Sequence, residues 1–266
     1  MMPDMVWLLL MCLGLGAVVG LLAGLLGIGG GLLIVPALVW MLPQTGIESG
    51  VVMHIALATS LACIVLTSGS SARSHLRLGN VDVSLVRLLA PGMVLGGIAG
   101  SAVAEWVPAD WLPRIFAGIV LLLALQMLLS LKVTGRHPIP GRVAIAGSGS
   151  VIGLVASLAG IGGGSLIVPY LSWYGVEMRR SIGTAAFCGS IIAIAGMAGF
   201  IVAGSGDDSL PPYSLGYVYL PALLGVVCTS VLTTRYGARM VSRLPTPTLK
   251  KIFAIFLLFV GGKMLF

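Results

Sequence analysis

Two short runs of this 266-residue sequence have the composition of an anion-binding turn. Residues 27–36 read GIGGGLLIVP and residues 160–169 read GIGGGSLIVP, so nine of ten positions agree. A glycine inside a helix costs about 1 kcal/mol relative to alanine, so a run this rich in glycine breaks the helix that contains it. A short helix then restarts, from Leu32 in one block and from Ser165 in the other. Its first N–H groups have no acceptor within the helix and lie at the positive end of the helix dipole, and glycine leaves them open to close approach. The candidate ligands for an anion are therefore the backbone groups of Gly27, Gly29, Gly30 and Gly31 and of Gly160, Gly162, Gly163, Gly164 and Ser165. Pro36 and Pro169 follow each block and read as hinges, because an internal proline kinks a helix and frees a carbonyl. Glycines also allow helices to pack closely in a membrane, and the two roles are compatible.

Further along each half comes a pair of small residues, Thr59-Ser60 and Thr184-Ala185. The hydroxyls of Thr59, Ser60 and Thr184 are candidate donors to an oxyanion, or they bond their own helix one turn back. A polar stripe, Thr67, Ser68, Ser70 and Ser71, extends the first of these segments, whereas Ile191 to Ala195 occupy the comparable stretch of the second. The stripe therefore lies outside any symmetric site. Arg73, His75 and Arg77 read as a cytoplasmic loop that sets topology, or as a basic vestibule that gathers anions. The four cysteines form no CxxC and no cluster with histidine, so no metal and no cofactor is indicated. No GxxxxGK[ST] occurs, and GIGGGL lacks the last glycine of GxGxxG, which removes a nucleotide fingerprint. No carboxylate falls in the middle of a hydrophobic segment, which disfavours a proton relay through a buried acid.

The elements that hold these residues follow from composition. The chain is 58% hydrophobic and 9% charged, with a mean hydropathy of +1.10. A soluble domain carries about 25% charged residues, so soluble enzymes, secreted scaffolds and nucleic-acid binders are excluded. Residues 5–47, 49–72, 143–176, 181–206 and 209–234 contain no Asp, Glu, Lys or Arg. One crossing takes about 20 apolar residues, and in lipid the backbone must pair internally. The expected fold is an all-α polytopic membrane protein.

The chain is also written twice. The landmarks of residues 1–132 recur in residues 143–266, and the polar run around 133–142 joins them as a cytoplasmic linker. Basic residues mark cytoplasmic loops: Arg73, Arg77 and Arg87; Lys132, Arg136 and Arg142; Arg235, Arg239 and Arg243. The loops with Glu105 and Asp110, and with Asp207 and Asp208, carry no Lys or Arg and fall outside. Counting crossings between these loops makes the two halves inverted repeats. Each is a broken, short hairpin plus three transmembrane helices: hairpin 5–42 and helices 50–72, 84–105 and 112–131, then hairpin 143–175 and helices 181–203, 214–234 and 248–266. The second hairpin arm is too short to cross, which places the GIGGG turn within the membrane.

The doubled GIGGGxxIVP block, the Ala58-Thr59-Ser60 helix and the HLRLGNVD segment at 75–82 resemble the sulfite exporter TauE/SafE family over residues 8–266. The resemblance implies a multi-pass permease of the bacterial inner membrane that exports sulfite or small organosulfonates such as sulfoacetate. The implied partners are a small anionic substrate and the lipid bilayer, with a homo-oligomer open and no nucleic acid. Two other readings fit the residues: an anion channel of the same architecture, and a membrane-embedded sulfur-handling enzyme or relay built on Cys63 and Cys188. The leading reading is a transporter rather than an enzyme, with an oxyanion held between the two GIGGG turns and one half rocking against the other.

Overall fold

The computed structural model describes residues 2–26, 30–129, 138, 140–240 and 246–265. In chain order they form α1 (Met2–Leu26), α2 (Gly31–Met41, continued by a 3-10 turn Leu42–Thr45), α3 (Ser49–Arg77), α4 (Val83–Trp106) and α5 (Leu112–Leu128). The second half supplies α6 (Arg142–Leu158), α7 (Gly164–Trp173), α8 (Met178–Ala203), α9 (Leu220–Met240) and α10 (Thr246–Leu265). Between α8 and α9 a small ribbon pairs β1 (Ser214–Leu215) antiparallel with β2 (Val218–Tyr219). The Val6–Ala23 part of α1, and α3, α4 and α8, are long and apolar enough to cross a membrane. The protein is an all-α polytopic membrane protein.

Several boundaries differ from the sequence expectation: α8 begins at Met178 rather than 181, and α9 ends at Met240 rather than 234. The helix expected to end at residue 72 continues to Arg77, because nothing interrupts it before Gly79, whose φ of 68° ends the chain's helical path. Arg73, His75 and Arg77 are thus helical and not part of a loop. The helix expected from residue 214 begins at Leu220. Tyr213 and Gly216 adopt positive φ, the ribbon forms between them and Tyr219, and Pro221 sits in the first turn of the helix that follows. The expected turn residues 27–29 and most of the expected linker, including Lys132 and Arg136, lie outside the described residues.

The most extensive packing joins one half to the other: α1 with α9, α4 with α6, α3 with α8, α4 with α8, and α5 with α10. Small residues make the first two seams. Gly92, Gly96 and Gly100 of α4 lie against Ala146, Ser150 and Ser157 of α6, and a β-carbon at Gly92 or Gly96 would run into backbone. Gly16 and Gly20 of α1 lie against Thr229 and Thr233 of α9, while Cys12 meets Gly225. Residue numbers rise together along both seams, so each pair runs in one direction. Along α3 and α8 they oppose. Leu61 lies beside Gly196, whereas the N–H of Asp82, just past the end of α3, donates to Thr184 near the start of α8.

The arms after the two glycine turns are short. α2 has 11 residues and α7 has 10, about 15–17 Å of helix at 1.5 Å per residue. A hydrocarbon core of about 30 Å is twice that. These arms reach into the protein and do not cross it.

Candidate functional site

The second glycine turn is held by its own backbone. Gly160, with φ 57°, closes α6: its N–H donates to the Ser157 carbonyl at 3.0 Å, and that of Ile161 to the Ala156 carbonyl at 2.9 Å. This is a left-handed glycine cap. Three residues on, Gly163 (φ 68°) starts α7, and its carbonyl accepts from Leu166 at 3.0 Å and Ile167 at 2.8 Å. A β-carbon is strained in both conformations. Gly30 (φ 80°) starts α2 in the same way. The two turns touch, with Gly31 lying directly on the Gly160 carbonyl and Ile161.

The predicted hydroxyls tie the halves together. Ser60 donates to the Gly160 carbonyl at 2.8 Å, a bond Ala185 cannot copy. Thr59 accepts the N–H of Tyr219, just before α9, at 3.0 Å, and Thr184 accepts that of Asp82, just before α4, at 2.9 Å. All three side chains are fully buried. Each threonine satisfies a backbone donor at the start of a helix in the opposite half, where donors have no intrahelical acceptor. Asp82 in turn caps α4, its carboxylate accepting the Leu85 N–H at 3.1 Å.

A cavity of about 80 Å³ opens beside the second turn. That is room for several waters or one small oxyanion. It is lined by Gly162, Gly164 and Val168, by Thr67, Ser68 and Ser71 of α3, and by residues of α1, α8 and α9 including Thr234. None of the lining residues is charged. The protons of two hydroxyls are already committed, Thr67 to the Cys63 carbonyl at 3.0 Å and Thr234 to the Ser230 carbonyl at 2.6 Å. Ser68 is 8% exposed and makes no hydrogen bond among the described residues. A β-carbon built on Gly162 would stand 3.6 Å from its Oγ. The Ser68 hydroxyl opens on the cavity, where water or a ligand can meet it. The N–H groups of Gly164 and Ser165 begin α7 next to it, without acceptors inside that helix. The Ser165 hydroxyl is also buried and without a partner.

The remaining predicted residues are placed as follows. Gly27 and Gly29 lie outside the described residues. Pro36 and Pro169 sit inside α2 and α7, both of which continue past them. Arg73 and Arg77 are exposed on the last turns of α3, beyond Ser71, and His75 between them is half-buried. Cys63 and Cys188 are fully buried and do not line the cavity. Sequence reasoning set aside Thr67, Ser68 and Ser71 and passed over Thr234. The stripe was visible, but the helix arm it faces was not.

A glycine-broken arm, a neutral donor-lined cavity and apolar helices all around it define a membrane permease class. The family model for the sulfite exporter TauE/SafE matches residues 12–264, and the chain belongs to that family. It is a membrane transporter. It is 45% identical to a "probable membrane transporter protein" of Haemophilus influenzae, over 96% of this chain and 97% of the other. Similarity extends to proteins of the same description from Methanocaldococcus jannaschii, 24% identical over 94% and 92% of the two chains, and Bacillus subtilis, 26% identical over 90% and 91%. No solved structure matches.

Proposed function

We propose that this transporter moves a small sulfur oxyanion or organosulfonate, such as sulfite or sulfoacetate, out across the bacterial inner membrane by alternating access. The observation that carries this reading is the unmet Ser68 hydroxyl facing Gly162 in a cavity that also holds the start of α7. The anion is held by neutral donors: the Ser68 hydroxyl, the Gly164 and Ser165 amides, and Ser71 toward the mouth. In a water-poor site such donors act without the large desolvation cost of a buried Lys or Arg. The cavity lies toward the end of α3 that bears Arg73, His75 and Arg77, which the charge rule assigns to the cytoplasm. A negative interior favours anion exit by about 2.3 kcal/mol per charge per 100 mV.

Inversion of the repeat is supported by the opposed course of α3 and α8 and by the exchange of partners, α1 with α9 and α6 with α4. The moving bodies in this proposal are not the two sequence halves, because their mutual packing is the most extensive in the molecule. The α1–α9 pair bounds the cavity on one side and α3, α7 and α8 bound it on the other. Displacement of that pair opens and closes the site.

Purified protein in proteoliposomes tests the reading with radiolabelled sulfite and sulfoacetate, taurine as a zwitterion, and an uncharged control. Saturable efflux of the anions, accelerated by substrate on the far side, is expected. Flux that neither saturates nor shows counterflow would fit a channel instead, and absence of flux for both anions would remove the substrate assignment.

A further inference from the structure

The cavity beside the second turn has two unlike walls. On α3 the hydroxyl-bearing residues Thr67, Ser68 and Ser71 line it, and Gly162 and Gly164 bring the backbone of the turn to it. On α8 the lining residues are Ile182, Ala185 and Ala186, spaced three and four apart and so on one face of that helix. Val168, one turn past Gly164 on α7, and Ala23 of α1 are apolar as well. Ala23 also lies beside the first turn, 3.7 Å from where a β-carbon on Gly30 would stand. Gly189 rests on the Gly162 carbonyl, so α8 leads away from the turn through Ala186 and Ala185 to Ile182, which is 38% exposed. The α8 face thus begins beside the donors, and its side chains offer no hydrogen bond.

An anionic head needs only part of this space. At about 10–15 Å³ for each water-sized atom, a volume of about 80 Å³ takes about five to eight non-hydrogen atoms. A sulfur with its oxygens, placed on Ser68 and the start of α7, leaves part of it empty. What remains is bounded by the methyl groups of Ile182, Ala185, Ala186 and Val168. Water there finds few partners, whereas a hydrocarbon chain gains by leaving bulk water. A second charge would be desolvated without a counter-charge, since no lining residue is charged. Resting on the anion-transport reading above, we propose that the α8 face is a tail subsite, which selects a sulfonate with a single negative head and an unbranched hydrocarbon tail of up to about three carbons. Ile182 sets that preference, because it is the largest apolar side chain of the wall. Sulfite has no tail to place there, and sulfoacetate puts a carboxylate where the end of the tail would lie. Both are held by the donors alone.

Calorimetric titration of the purified protein with methane-, ethane- and propanesulfonate tests this, with sulfite and sulfoacetate alongside and detergent micelles alone as the blank. Every member of the series carries the same head, so a change in affinity reports the tail. Full burial of one methylene is worth about fourfold in affinity and half burial about twofold. Affinity is therefore expected to rise about two- to fourfold per methylene, and propanesulfonate should bind more tightly than sulfoacetate. Ile182→Ala, at an exposed position where a smaller side chain is tolerated, should reduce the ratio of propanesulfonate to methanesulfonate affinity. Ala186→Ser, which puts a hydroxyl into the same face, should reduce it too. Affinity that stays flat or falls along the series, or a ratio unchanged in both variants, would overturn the tail subsite. The anion site outlives that result where sulfite and methanesulfonate still bind and Ser68→Ala weakens them. If neither sulfite nor any sulfonate binds, both readings fall together.

Discussion

The two GIGGG blocks are nearly the same sentence of sequence, yet their described residues face different surroundings. Both start a short helix from a left-handed glycine, Gly30 or Gly163. The second opens onto a cavity with hydroxyls. The described part of the first is packed solid, with Gly31 against the Gly160 carbonyl, Ile161 and Ile64. The difference lies in the partner helices rather than in the turns. α3 presents Thr67, Ser68 and Ser71, whereas the comparable stretch of α8 holds Ile191 to Ala195. Among the described residues, hydroxyls therefore line the space beside the second turn, while Gly30 and Gly31 of the first are enclosed by packing.

That contrast is open to attack by substitution. The largest effect is expected at Gly31→Leu, whose new β-carbon falls on backbone that cannot give way. A loss of about 3 kcal/mol or more should remove the monodisperse peak on size exclusion. At Gly162 a β-carbon meets the Ile64 Cγ2 at 2.7 Å, a methyl on a fully buried side chain, so Gly162→Ala should cost about 1–3 kcal/mol, less than Gly31→Leu, and narrow the cavity.

Next comes Ser68→Ala. One hydrogen bond to an anion is worth about 1.5–3 kcal/mol, so flux at low substrate should fall about 10- to 100-fold with the melting temperature unchanged. Its counterpart Ala193→Ser, which adds a hydroxyl to the packed side, should leave flux as it was. Activity gained there would show that the halves are interchangeable.

The two threonines sharpen the comparison from the other direction, since here the halves agree. Thr59→Val and Thr184→Val each strand one backbone N–H, the buried one of Tyr219 or the half-buried one of Asp82. Each should cost about 1–2 kcal/mol, read as similar drops in thermal stability. The smallest effect is expected from Arg73→Gln. An exposed charge near the mouth should change flux by about twofold, less so at high salt.

Much of this was legible in the residues. The doubled block and the charge-free runs gave the polytopic, repeated architecture, because left-handed turns demand glycine and lipid excludes charge. The ribbon at 214–219 was not legible, since Tyr217, Val218 and Tyr219 read as apolar helix until Tyr213 and Gly216 are seen at positive φ. The threonines were assigned to a ligand because a hydroxyl's tertiary partner leaves no local mark: Thr59 and Tyr219 are 160 residues apart. The stripe Thr67–Ser71 was visible as composition and discounted by a symmetry argument. Among the described residues, packing places that stripe beside the second turn.

If uncharged donors at the second turn hold the anion, a binding isotherm will register their removal. Sulfite and sulfoacetate are titrated calorimetrically into purified wild type and Ser68→Ala, with folding checked by thermal melt. One saturable site is expected in wild type, with affinity lower by at least about tenfold in the variant. Equal affinity in a folded Ser68→Ala protein would contradict it.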